Sequence, residues 1–262
     1  MARKSILIVG GGTAGWLTAL VLHKKYNVTM VESPNVPTIG VGESTTETVM
    51  DALRQGGIDI NDFVAKTNAT PKYGVNFSNW VNKDYFHAFG ENFLEKRFGD
   101  KLSKFLADCY RAGKDVSNLS PYTHMAKSGL HPVFGTDEEF WWDTALHWQA
   151  NKVPEYLKEF LEGKITHFYD HIDKVEVDEN GISQVNNYKA DYYIDCTGGK
   201  RILSKALGIK WQSWTDQTPL DSAVTFSTNP KEKTYYTNAH AMNCGWEWSI
   251  PLQDKVNHGY VY

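Results

Sequence analysis

A glycine-rich turn set between an apolar strand and a helix opens the chain, and it limits the fold more than any other stretch. Ser5–Val9 (SILIV) is a continuous β-branched and aliphatic run, the pattern of a buried parallel strand. Gly10, Gly12 and Gly15 follow as GxGxxG, with Thr13 and Ala14 inside the turn. Residues 16–25 have helical spacing, with Leu17, Leu20 and Val21 on one face, and residues 27–31 (NVTMV) read as a second strand ended by Glu32. The result is a βαβ unit. In such a unit the first glycine permits the tight turn. The second lets a diphosphate approach the backbone, and the third lets helix and strand pack closely. The diphosphate sits at the positive end of the helix dipole, and an acid at the position of Glu32 accepts from a ribose hydroxyl. The chain is therefore expected to bind a dinucleotide. The turn alone does not distinguish FAD from NAD.

The remaining pattern predicts an α/β protein. Residues 34–46 are rich in Gly, Pro and Thr and read as a loop; 48–55 and 62–66 read as helices. Residues 73–90 mix aromatics with β-formers, 98–112 are helical in spacing, and 117–136 carry turn residues with little periodicity. Residues 141–160 predict a long helix kinked or split at Pro154. From Ile165 strands take over. Residues 167–177 and 181–188 flank the turn Asp178-Glu179-Asn180-Gly181 as a hairpin. Residues 190–195 form a further strand before Cys196-Thr197-Gly198-Gly199, and 223–227 and 245–250 alternate as half-buried strands. The last residues, GYVY, read as the start of a strand, so the chain is expected to be cut short, a single module over 1–262 incomplete at its C-terminal end.

Composition narrows the partners. A net charge of −4 gives no electrostatic reason to expect nucleic acid or an acidic membrane surface. No apolar run approaches the roughly 20 residues that span a bilayer, and the N-terminus lacks a signal-peptide pattern. Cys109, Cys196 and Cys244 are widely spaced with no CxxC, which disfavours a disulfide framework or zinc site. A cytoplasmic protein without a metal is expected. Nine Trp residues allow either a large core or an aromatic-lined pocket.

Several segments together resemble one family. Residues 191–199 (DYYIDCTGG) resemble the second FAD motif of glutathione-reductase-like flavoproteins, with Thr197 and Gly198 at the turn. Residues 39–45 (IGVGEST) resemble the glycine-rich strap that lies along the flavin in tryptophan halogenases, usually a GVGEAT-like stretch. Gly40 and Gly42 permit close backbone approach to a flat cofactor; Val41 and Glu43 complete the strap, and Ser44 and Thr45 offer hydroxyls. Pro71-Lys72-Tyr73-Gly74 resembles the family segment bearing the active-site lysine, here Lys72. Residues 245–251 (GWEWSIP) contain WxWxIP, the family's most specific signature. On a strand, Trp246, Trp248 and Ile250 share one face. His147-Trp148-Gln149-Ala150 stands where the family has an HFDA-like stretch, with Gln149 departing from the usual Asp.

The resemblance implies a glutathione-reductase-like FAD-binding fold, Rossmann-type, with a mixed sheet and an inserted, partly helical substrate domain whose C-terminal part is missing. It implies FAD held by Gly10, Gly12, Thr13, Ala14, Gly15, Glu32, the 40–45 strap, Thr197 and Gly198. A separate flavin reductase supplies reduced FAD. With O2 and halide, hypohalous acid forms and reaches Lys72, which positions it for attack on an electron-rich arene such as an indole. Trp246, Trp248 and Ile250 keep that small aromatic substrate from the flavin. The resemblance leaves a homodimer open, along with two other readings: a flavin-dependent aromatic monooxygenase, which needs neither Lys72 nor WxWxIP, and an inactive FAD-binding fragment.

Overall fold

The Ser5–Val9 strand is almost wholly buried because it takes parallel partners on both edges. In the computed structural model, residues 2–36, 43–81, 84–90, 99–114, 116, 119–129 and 144–262 are described. The strand pairs with Asn27–Glu32 on one side and Tyr192–Asp195 on the other, and Thr166–Tyr169 extends the sheet beyond Asn27–Glu32. An all-parallel sheet needs apolar cover, and Leu7, Val9 and Val31 supply one side of a core shared with Val185 and Leu203. The helix Thr13–Leu22 packs against the helix Lys152–Leu161. These elements belong to the first of two compact units, Met1–Gly40 with Ala52–Phe63 and Ala150–Asp216. The antiparallel ribbon of Val175–Asp178 and Gly181–Val185 belongs to it too.

The second unit comprises Val41–Asp51, Val64–Gln149 and Gln217–Tyr262. Its six-stranded sheet runs Ala223–Thr228, Val256–Val261, Gly245–Pro251, Thr237–Met242, Gly74–Ser78, Tyr85–Ala88. The Thr237–Met242 strand pairs in parallel with Gly74–Ser78 and antiparallel with Gly245–Pro251. A three-stranded sheet places Ala145–Trp148 between Glu43–Ser44 and Thr70–Lys72, antiparallel to both.

Three expectations change. The long helix over 141–160 is instead the strand Ala145–Trp148 followed by the helix Lys152–Leu161, with 141–143 outside the described residues. Every residue of that strand is buried, and a central strand buried on both faces has no alternation to separate it from a buried helix. Pro154 does not kink the helix. It is the third helical residue, where a backbone N–H has no intrahelical partner. The hairpin is shorter than read: Thr166–Tyr169 belongs to the parallel sheet, and only Val175–Asp178 pairs with Gly181–Val185. Within 117–136, a helix runs over Pro121–Ser128. Ser120 caps it by accepting from Tyr122 N at 3.2 Å, Pro121 opens it, and Gly129 closes it at φ +62°. Among the described residues, no helix is long and apolar enough to cross a membrane, and no group of three or more His, Cys, Asp or Glu side chains is placed to hold a metal ion.

Candidate active site

The first unit brings its two glycine turns together. Gly10 has φ +112°, and a Cβ there would lie 2.3 Å from Cys196 O and 3.1 Å from Thr197 N. Only glycine allows the 10–15 turn to touch the turn after Asp195. A Cβ on Gly15 would lie 1.9 Å from Gly10 O, so the helix sits directly on the turn. Gly12 is the helix N-cap, in ordinary extended backbone, with no side-chain cap and no acid in the first turn. A Cβ on Gly12 would meet nothing within 4 Å. Beside Gly12, at the positive helix end that carries Thr13 and Ala14, there is open space. Glu32 ends its strand against this turn. Its carboxylate lies where a Cβ on Gly11 would be, 1.4 Å away, and its Oε1 is 2.9 Å from His167 Nε2. Sequence reading passed over both Gly11 and His167.

Asp195 organises the second glycine turn. It accepts from Thr197 Oγ1 at 2.6 Å and Thr197 N at 3.1 Å, and from Leu203 N, Ser204 N and Ser204 Oγ at 2.9–3.0 Å. Burial pushes its carboxyl up, but these donors outweigh that and hold it below the ordinary carboxylate range. Gly198 follows at φ +58° with open space beyond its Cα. Asp195→Ala is expected to cost about 2–4 kcal/mol, because several backbone and hydroxyl donors lose an ionised acceptor together. A depressed folded pKa means that this contribution is present above the unfolded carboxyl pKa. It is lost as pH falls through the folded value. Urea midpoints for both proteins at pH 7 and pH 3 would show the gap closing in acid.

In the second unit, Lys72 ends the Thr70–Lys72 strand with only 5% of its surface exposed. Its ammonium donates to Thr45 O at 2.7 Å and lies 4.7 Å over the Phe89 ring. Burial lowers its pKa from 10.5 to about 8; the charge of Glu47 partly opposes this. Glu47 Oε1 accepts from Gly90 N at 2.6 Å, tying the segment after Thr45 to the residue beside Phe89. Thr45 is pinned to the central strand: its N and Oγ1 both donate to Leu146 O at 2.9 Å, and its Oγ1 accepts from Leu146 N. Glu43 accepts from Trp148 Nε1. Gly40, Val41 and Gly42 lie outside the described residues.

The shift on Lys72 carries a stability consequence. Between about pH 8 and 10.5 the folded chain binds fewer protons than the unfolded one, so folding stability gains with rising pH across that window, by up to ~3 kcal/mol. The difference in unfolding free energy, read from urea melts, between the protein and Lys72→Met should change by that amount between pH 7.5 and 10.5. An unchanged difference would place the amine in water.

Trp246, Trp248 and Ile250 lie on one face of the Gly245–Pro251 strand and line one cavity of about 480 Å³ within the second unit. The indoles of Trp246 and Trp248 are 5.8 Å apart, and Trp80 stands 6.2 Å from Trp246. Trp248 lies across Gly259, where a Cβ would fall 1.9 Å from its ring. Phe77 and Val75 continue the wall, and the hydroxyl-bearing Ser44 and Thr237 also line the cavity. Behind them His147 is fully buried, within hydrogen-bond reach of Thr237 and Thr70. Burial, reinforced by the charge of Lys72, keeps its pKa well below the ordinary histidine value, so it is neutral. The position of His147 was noted in the sequence, but the link to Thr237 spans 90 residues and leaves no local signal.

The tryptophan 6-halogenase SttH of Streptomyces toxytricini is 29% identical over 298 residues, spanning 98% of this chain and 57% of that protein. A tryptophan halogenase structure from Shewanella frigidimarina superposes with a TM-score of 0.84 at 29% identity, covering 99% of this chain and 56% of the other. A flavin-dependent halogenase structure from Xanthomonas campestris gives 0.81 at 28%, covering 100% and 56%. The chain thus spans little more than half the length of these relatives, and its α/β architecture is that of an FAD-binding, Rossmann-type fold. The tryptophan halogenase family model matches residues 5–262, and the chain belongs to that family.

Proposed function

We propose that this chain carries the FAD-binding and lysine-bearing parts of a flavin-dependent halogenase acting on a small, electron-rich arene. The observation that carries the reading is Lys72: a buried ammonium over the Phe89 ring, fixed by Thr45 O in the segment that resembles the flavin strap.

FAD fits the residues of the first unit, because the space beside Gly12 is open at an uncapped helix N-terminus. Gly10, Gly12, Thr13, Ala14 and Gly15 would hold its diphosphate, Glu32 a ribose hydroxyl, and Thr197 and Gly198 the neighbouring turn. The 40–45 strap would lie along the ring. Bound as the reduced form delivered by a reductase, FAD supplies the electrons by which O2 and halide become hypohalous acid and water. The protein's part is to orient and exclude. Lys72 Nζ, desolvated and aimed by Thr45 O, holds the oxidised halogen by hydrogen bonding and keeps it from water. Trp246, Trp248 and Ile250 form the wall that separates arene from flavin.

The test combines the protein with FAD, a flavin reductase, NADH, O2, indole, and chloride or bromide in turn. Product masses are expected to shift by one halogen and to follow the halide supplied. A halide-independent gain of one oxygen would replace this reading with an aromatic monooxygenase, and no turnover despite tight FAD binding would reduce it to a flavin-binding fragment.

A further inference from the structure

The Glu32 carboxylate is seated from two sides, and one of the two is a histidine 135 positions further on, His167. The GxGxxG pattern asks for glycine at 10, 12 and 15 and leaves position 11 free. Position 11 is glycine all the same, and the carboxylate gives the reason. It lies across Gly11, with Oε2 1.4 Å and Cδ 2.3 Å from where a Cβ would be. The other oxygen, Oε1, is 2.9 Å from His167 Nε2. His167 stands on the Thr166–Tyr169 strand, in register with Met30 of the strand that Glu32 ends, so the two side chains share one face of the parallel sheet. Aromatic rings hold the imidazole in place. Trp16 and Tyr169 pack on it edge-to-face, with centroids at 5.1 and 4.8 Å. Lys158 in turn bonds the Tyr169 hydroxyl and lies 4.6 Å over its ring. His167 Nε2 is enclosed by protein and, among the described residues, has no aligned hydrogen bond, so the Glu32 carboxylate is the acceptor it faces. A bare nitrogen at that distance would set one lone pair against another, so Nε2 carries the ring proton. The contact ties Oε1 to the protein and leaves Oε2, over Gly11, to accept from a ligand.

We propose that His167 is the positioning residue for Glu32. It engages one carboxylate oxygen, so that the other is presented at the edge of the glycine turn to the ribose 2′-hydroxyl of an adenine dinucleotide. The site then prefers a ribonucleotide to its 2′-deoxy counterpart, and the preference depends on a residue that touches neither the ribose nor the diphosphate. This rests on the FAD reading above and adds to it the group that makes Glu32 selective.

Calorimetric titration of the cofactor-free protein with ADP and 2′-deoxy-ADP tests it without turnover, since the pair carries the adenosine diphosphate half of FAD with and without that hydroxyl. ADP is expected to bind about 10- to 100-fold tighter, the range of one hydrogen bond to an ionised acceptor. Glu32→Ala should bring the ratio to about 1. His167→Phe keeps a ring against Trp16 and Tyr169 but removes the donor, and the ratio should fall to about 3 or less. His167→Met, also without a donor, should give the same ratio, and His167→Gln, which restores an N–H, should recover most of the preference. In a Glu32→Ala background, His167→Phe should change neither affinity. A structural role alone would weaken both nucleotides together and leave the ratio as it was. An unchanged ratio in His167→Phe and His167→Met overturns the proposal, as does equal binding of the two nucleotides by the unaltered protein. The two readings fail separately. ADP that neither bound nor was displaced by FAD would remove the cofactor from this turn and the proposal with it, whereas competition with FAD at a ratio indifferent to His167 would remove the proposal alone.

Discussion

Lys72→Ala is expected to lower halogenated product by about 10³-fold, within the range typical for loss of a positioned proton donor or acceptor, while FAD binding and consumption of reduced flavin stay as they were. The reasons are geometric. The Lys72 side chain is enclosed, and its ammonium is fixed by a carbonyl rather than by an anion. Removing the side chain takes a cation from the vicinity of Glu47, whose carboxylate keeps Gly90 N as a donor, so the fold is expected to survive and the loss to fall on the chemistry. The glycine turns proposed to hold FAD belong to the other unit. Oxidised halogen should still form and escape to solution, where a halogen-trapping dye would register it. Retained yield on indole in the folded variant would remove Lys72 from the mechanism.

The second large effect separates two glycines of one motif. Gly10→Ala is expected to cost about 3 kcal/mol or more, since the backbone has φ +112° and the new methyl would meet Cys196 O at 2.3 Å. Gly12→Asp should do the reverse. The backbone there is ordinary, the space is open, and an aspartate caps and neutralises the helix end, raising stability by up to about 1 kcal/mol. The same carboxylate occupies and repels the diphosphate, so FAD affinity should drop by about 100-fold or more, or roughly 3 kcal/mol. Urea melts and flavin-fluorescence titrations read the two effects independently. A Gly12→Asp protein that bound FAD normally would move the cofactor away from this helix.

The first βαβ unit was legible because each of its signals is local: an apolar run, glycines at fixed offsets, and an acid closing the next strand. WxWxIP was legible for the same reason, since alternation alone puts Trp246, Trp248 and Ile250 on one face. The Ala145–Trp148 strand was not, because burial on both faces erases alternation, and its neighbours Glu43–Ser44 and Thr70–Lys72 lie far away in sequence. The Pro121–Ser128 helix carried Ser120, Pro121 and Gly129 as start and stop signals, outweighed in the reading by surrounding turn residues. The Thr70–His147–Thr237–Ser44 chain joins segments up to 193 residues apart, so no spacing rule could have announced it.

The pairing of Ser5–Val9 with Tyr192–Asp195 bears on how the chain comes to be folded. Ser5 is bonded to Asp191 across 186 residues, so one edge of the opening strand has no partner until most of the chain has left the ribosome. Contacts so remote close slowly, and an aliphatic strand with a bare edge invites association meanwhile. Overproduction at low temperature or with chaperones should recover more dispersed protein than rapid synthesis does, with aggregation originating at Ile6-Leu7-Ile8-Val9.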